Sequence, residues 1–168
     1  VMGAASESHL YDVVVVGAGA AGVGVGAALR HANIDNFLVL ERHHVGASFS
    51  SWPAETRFIT PSFPPNSIGM IDLNSVAIGV APAFSLRSEH PTGEQYSWHL
   101  ENVAHLFQLP ICPRTDVNHI RYREGIFHLD TPERTLRARH VIWAAGEFQY
   151  PRLNGFKGSE HCRHTAKL

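Results

Sequence analysis

The tightest constraint on this chain is a hexamer, Gly17-Ala18-Gly19-Ala20-Ala21-Gly22, set directly behind the β-branched run Tyr11 to Val16. A short run of that kind ended by glycine suits a strand buried on both faces of a parallel sheet. The glycine and alanine stretch leads into Ala27-Ala28-Leu29-Arg30, which reads as helix, and Phe37 to Leu40 is a second buried strand ending at Glu41. Strand, helix and strand within about 30 residues make one βαβ unit with a right-handed crossover. The hexamer fits G-x-G-x-x-G, follows a strand, opens a helix and is followed by an acid about 20 residues on. Those four conditions together point to dinucleotide binding.

Chemistry accounts for each residue type. Gly17 lets the chain turn sharply out of the strand, Gly19 lets backbone approach a pyrophosphate, and Gly22 lets the helix pack close to the sheet. The first-turn amides around Ala20 and Ala21, at the positive end of the helix dipole, then face the phosphates. Glu41 is placed to accept hydrogen bonds from ribose hydroxyls and would repel a 2′-phosphate, which favours FAD or NAD over NADP. The glycines can also serve merely as a tight strand-to-helix connection, but strand, spacing, helix and acid occurring together favour the nucleotide.

At 168 residues, 44% of them hydrophobic and 17% charged, the chain has the balance of one globular domain. A formal net charge of −1 with no charged block gives no reason to expect nucleic acid or an anionic membrane as partner. The two cysteines, Cys112 and Cys162, form no Cys-x-x-Cys, which argues against a disulfide framework and a thiol–disulfide relay. No apolar run approaches the roughly 20 residues of a membrane span. Val1 to His9 has no signal-peptide pattern and reads as a loose leader, so the expected location is cytoplasmic.

Val45 to Pro91 carries six prolines, Pro53, Pro61, Pro64, Pro65, Pro82 and Pro91, and no sustained period. So long an irregular connection is unusual unless functional, and it reads as an excursion with short helical turns over the ligand. Thr92 and Gln95 form a capping-box signature, and Tyr96, Leu100, Val103, Ala104 and Phe107 recur at helical spacing until Pro110. Short strands are expected at Val117 to Tyr122, Ile126 to Leu129, Leu136 to Ala138 and Val141 to Ala145. Glu124-Gly125 and Thr131 to Arg134 supply the turns. The expected fold is α/β and Rossmann-like, in three layers, with a parallel sheet plus a small antiparallel β-meander.

Several later segments carry a family likeness. Val141-Ile142-Trp143-Ala144-Ala145-Gly146 resembles the strand and "ATG" turn of two-dinucleotide flavoproteins, with Ala145 where threonine is usual. Thr115-Asp116-Val117-Asn118-His119-Ile120 resembles their T-x-V-x-x-I strand. Val45 to Trp52 resembles the G-G-x-W segment of flavin-containing and Baeyer–Villiger-type monooxygenases, with Ala47 replacing the second glycine. The run Trp52 to Phe63 is similar to one in bacterial flavin-containing monooxygenase-like oxidoreductases. The likeness covers about residues 11 to 156. It implies FAD rather than NAD, with the backbone of Val117 at the adenine and the Ala145-Gly146 turn beside the flavin nucleotide. It also implies NADPH-driven oxygenation of a small molecule in a full-length relative, with the hard chemistry belonging to the flavin and no catalytic side chain to name.

Other residues have two readings each. Arg42 either stacks on adenine or is solvated; Trp52 either stacks on cofactor or fills the core. Arg57 and Thr60 either meet the cofactor or pack a loop. His161-Cys162-Arg163-His164 does not match zinc spacing, and no metal site is expected. The sequence carries no second G-x-G-x-x-G, and Phe156-Lys157-Gly158 with His164-Thr165 only loosely resembles the signature before an NADPH domain. The expected organisation is a leader over 1–9, an FAD domain over 10–150, and a truncated linker over 151–168 toward an absent NADPH domain. The rival readings are a non-catalytic FAD or nucleotide module completed by a partner chain, and a simple NAD-dependent dehydrogenase. The expected macromolecular partner is a second copy of the chain, as a homo-oligomer, or a complementing chain.

Overall fold

A computed structural model describes residues 9–64, 72–147 and 155–162. Most of the leader, and the His164-Thr165 end of the linker signature, lie outside the described residues. β1 (Leu10–Val16), α1 (Ala20–His31) and β2 (Phe37–Leu40) form the βαβ unit, with Val14 beside Leu38 and Val16 beside Leu40 in parallel register. The described part of the excursion contains two short helices, α2 (Ala47–Ser50) and α3 (Pro82–Leu86), before α4 (Gly93–Leu106). After α4 come β3 (Ile111–Cys112), β4 (His119–Arg123), β5 (Ile126–Asp130) and β6 (Thr135–Trp143). They join one six-stranded sheet in the order β3-β2-β1-β6-β5-β4.

The two faces of the sheet follow the period of two along β1. Val13 and Val15 face a cluster with Phe37 and Val39 that Val25 and Leu29 of α1 cover. Val14 and Val16 face the opposite cluster, with Leu38, Leu40, Leu129, Leu136 and Ala138. Val117, Ile120 and Phe127 pack onto that second cluster, so the meander end of the sheet closes over the face that α1 leaves open. A third cluster joins Val23 of α1 to Tyr96, Leu100 and Val103 of α4.

Three elements differ from the sequence reading. The two strands expected at Leu136 to Ala138 and Val141 to Ala145 are one strand, β6, antiparallel to β5 and parallel to β1. Exposed Arg139 and His140 interrupt its apolar pattern, and Ala138 and Val141, three apart, both face the same cluster. The strand therefore changes face there, which hides its continuity from an alternation test. The strand expected from Val117 starts at His119, because Val117 packs inward ahead of the ladder. Two-residue β3, parallel to β2, is too short to show a period.

The local signals at the turns are met. Thr92 Oγ1 accepts from the Gln95 amide at 3.2 Å and Gln95 Oε1 accepts from the Thr92 amide at 2.9 Å, closing the capping box of α4. Glu124 and Gly125 sit at φ 50° and 81°, the paired left-handed conformation of a tight two-residue hairpin.

Candidate nucleotide site

β1 and β6 run parallel and end side by side, Val16 against Trp143. The chain leaving β1 crosses to β2 on one side, while β6 lies on the other. In open α/β sheets the crevice for a ligand lies beyond the carboxyl ends of the strands at such a switch point. Three segments meet here: the glycine turn after β1, Glu41 after β2, and Ala144-Ala145-Gly146 after β6.

The three glycines of the motif divide into two that pack and one that opens. Gly17 has φ +105°, and a Cβ on it would lie 2.3 Å from the Ala144 carbonyl oxygen and 3.0 Å from Ala145 Cα. A Cβ on Gly22 would lie 1.8 Å from the Gly17 carbonyl oxygen, so only glycine lets α1 sit this close to the turn. A Cβ on Gly19 would meet nothing within 4 Å. That position faces open space.

The start of α1 is bare. Gly19 is its N-cap residue, no side chain caps it, and its first turn holds no acid. The first helical bond runs from the Val23 amide to the Gly19 carbonyl at 2.9 Å. Among the described residues the amides of Gly19, Ala20, Ala21 and Gly22 find no acceptor. The same chain caps α4 with a full box and Glu94 in the first turn. Orphan donors at one helix start, open to space at Gly19, where the other start is closed by side chains, fit an anionic ligand that accepts from them.

Glu41 is directed at this turn. One carboxylate oxygen accepts from the Ala18 amide at 2.7 Å and the other from the His43 amide at 2.8 Å. The Ala18 carbonyl accepts from the Gly46 amide at 3.0 Å, so the Ala18 peptide is held from both sides. A carboxylate has about four lone-pair positions, so each oxygen keeps acceptor capacity for a sugar hydroxyl. The Thr115 amide donates to the Glu41 carbonyl at 2.8 Å and the Arg114 amide to the His43 carbonyl at 3.1 Å. Those bonds bring the segment before Val117 alongside the acid.

Of the residues singled out from sequence, Gly17, Gly19, Ala20, Ala21, Gly22, Glu41, Ala145 and Gly146 gather at this end of the sheet. Arg42 is exposed beside Glu41, with its Nε donating to His43 Nε2 at 3.3 Å. Val117 is half-buried, its side chain turned into the core. Trp52 packs among Phe49 and Phe58, with ring centroids 5.3 and 5.2 Å away, which is the core-filling arrangement. Arg57 donates to the His90 carbonyl at 3.2 Å, and the Thr60 carbonyl accepts from Asn74 Nδ2 at 2.9 Å. Neither contact reaches the glycine turn. The roles of Ala18, Gly46 and Ala144 escaped the sequence reading, since each depends on a neighbour distant along the chain. Cys112 and Cys162 are both free thiols, and burial pushes the Cys112 thiol above its usual value, against use as a thiolate. Among the described residues, no helix is long and apolar enough to cross a membrane.

Fold and site together define a Rossmann-like α/β domain with the turn, helix start and acid of a dinucleotide-binding unit. The model of the pyridine nucleotide-disulphide oxidoreductase family matches residues 14–168, and the chain belongs to that family. The uncharacterized oxidoreductase CzcO-like of Geobacillus kaustophilus is 27% identical over 154 residues, covering 90% of this chain and 40% of that protein. The chain thus spans about 40% of the length of that curated relative. A flavin-containing monooxygenase from Stenotrophomonas maltophilia superimposes with a TM-score of 0.69 at 20% identity, over 87% of this chain and 42% of that one. OTEMO, in a complex with FAD and NADP, superimposes with a TM-score of 0.66 at 18% identity, over 94% and 30%. At such identities the structural likeness is one of fold.

Proposed function

We propose that this chain is the FAD-binding part of an NADPH-dependent, flavin monooxygenase-like oxidoreductase. The observation that carries the reading is the uncapped start of α1, open at Gly19 and flanked by the Glu41 carboxylate. The family match and a structural neighbour that holds FAD and NADP support the choice of cofactor. Residues 10–150 would form the FAD domain, and an NADPH domain would follow in a full-length relative.

The chain's own part is binding and orientation. Amides of Gly19, Ala20 and Ala21 would donate to the pyrophosphate, with the dipole of α1 adding to their pull. Glu41 would accept from the adenosine ribose, and its charge would disfavour a 2′-phosphate there. Arg42 and the Val117 backbone would flank the adenine, and the Ala145-Gly146 turn would lie beside the flavin nucleotide. Trp52, Arg57 and Thr60 belong to an excursion that would border the cofactor and shield it from water. Bound FAD would supply the electron transfer between NADPH and a small substrate, which side chains cannot.

The test is an absorption spectrum of the purified chain after incubation with FAD and removal of free flavin. Flavin bands that co-elute with protein support the reading, and a colourless protein overturns it. NADPH added under air then tells a self-sufficient enzyme, whose bands bleach, from a module that needs a partner to complete it.

A further inference from the structure

Beneath the excursion lies a polar cluster that the nucleotide site does not use. Asp72, Asn74, Ser62 and His99 are all buried, at 1%, 8%, 4% and 0% exposure. Asp72 accepts from the Asn74 amide at 2.9 Å and from the Ala83 amide at the start of α3 at 3.2 Å. Asn74 Nδ2 donates to the Thr60 carbonyl and to Ser62 Oγ, both at 2.9 Å. The Asn74 carbonyl accepts from the Tyr96 hydroxyl of α4 at 2.6 Å. His99, one turn further along α4, meets Ser85 Oγ of α3 through Nδ1 at 2.7 Å. Among the described residues its buried Nε2 has no hydrogen-bond partner.

We infer that His99 is a pH-sensitive latch: its neutral imidazole holds residues 72–86 against α4, and its protonation releases that strap. The neutral ring can leave one nitrogen as an unpaired acceptor. The imidazolium carries an N–H at both nitrogens, and the second would be a charged donor buried without an acceptor, a costly arrangement. Opening the strap hydrates it.

The groups set against the ring bear this out. Ser85 on α3 is uncharged. The Tyr96 ring on α4 lies tilted against it, 5.7 Å between centroids, and its hydroxyl is pushed up to about 12, chiefly by burial, so it stays neutral. Among the described residues Asp72, in the strap, is the charge that favours the imidazolium, yet burial outweighs it and holds His99 below its usual value. The closed state therefore binds the proton less readily than the open one. Closure is at full strength above the ordinary histidine value and weakens as pH falls from there to the depressed value. Because Asn74 also carries the Thr60 carbonyl and Ser62, release of the strap loosens the stretch around Thr60.

The inference does not depend on nucleotide binding, and hydrogen exchange on the ligand-free chain tests it. Exchange rates at the Ser75, Val80 and Ala83 amides, corrected for the intrinsic effect of pH, are followed from pH 7.5 to 5. Opening should increase up to about tenfold per pH unit across the window, in step with the His99 ring titration followed by NMR, while Val14 to Val16 keep their protection. In His99→Gln, which cannot take the proton, the pH dependence should vanish. A wild-type strap with pH-independent protection overturns the latch. So does loss of protection in β1 in parallel with the strap, or a pH dependence that persists in His99→Gln. If His99→Gln fails to fold, the wild-type comparison decides alone: ring titration without strap opening refutes the inference.

Discussion

Replacing Gly19 with valine separates binding from folding. Gly19 sits at φ −78° and ψ −167°, extended backbone that any residue adopts, and a Cβ there meets nothing within 4 Å. The fold should therefore lose only the difference between glycine and valine at an N-cap, about 1 kcal/mol, a fall in Tm of about 2–4 °C. The side chain would, however, stand where a pyrophosphate must approach. Losing two hydrogen bonds to a charged group, at about 1.5–3 kcal/mol each, weakens FAD binding by about 3–6 kcal/mol, or roughly 10²- to 10⁴-fold. Titration with FAD followed by flavin fluorescence reads the first quantity and thermal unfolding the second. Undiminished FAD affinity in Gly19→Val would refute the reasoning, and so would a stability loss well beyond that of a cap, since either means the position is not an open phosphate cradle.

The same geometry predicts the opposite result three residues on. In Gly22→Ala the methyl falls 1.8 Å from the Gly17 carbonyl oxygen, so α1 must shift, and a stability loss of about 3 kcal/mol should appear in denaturant unfolding without ligand. Glu41→Gln turns an amide NH2 toward the amide of Ala18 or His43, which should cost about 1–3 kcal/mol in the ligand-free chain, measured by urea midpoint; an unchanged midpoint would mean that the clamp on the turn contributes nothing. Thr92→Ala removes the capping box of α4 and should cost about 1 kcal/mol while leaving FAD affinity as it is. Tyr96→Phe leaves the Asn74 carbonyl without its donor and should destabilise by about 1–3 kcal/mol, with the amides of the strap exchanging faster than those of β1.

What could be read from sequence was whatever is encoded locally. The glycine turn, the acid after β2, the box at Thr92 and Gln95, and the Glu124-Gly125 hairpin each lie within a few residues, and each has one conformational solution. The continuity of β6 is hidden in sequence because its apolar alternation breaks at exposed Arg139 and His140, with Ala138 and Val141 on the same face. The clamp on Ala18 needs Glu41 and Gly46, and the knot of Asp72, Asn74 and His99 needs α3 and α4 brought onto the excursion. None of those partners is adjacent in sequence, and a lone buried histidine gives no periodic signal. Trp52 shows the same limit from the other side: an aromatic beside a cofactor motif looks the same in sequence whether it stacks on a ligand or on Phe49 and Phe58.

Amide NMR of the ¹⁵N-labelled chain titrated with FAD tests the central claim most directly. Saturable shifts centred on Gly19, Ala20 and Ala21, absent when riboflavin replaces FAD, are the result this account predicts. Saturable binding that leaves those amides unmoved and perturbs another face of the domain would contradict it.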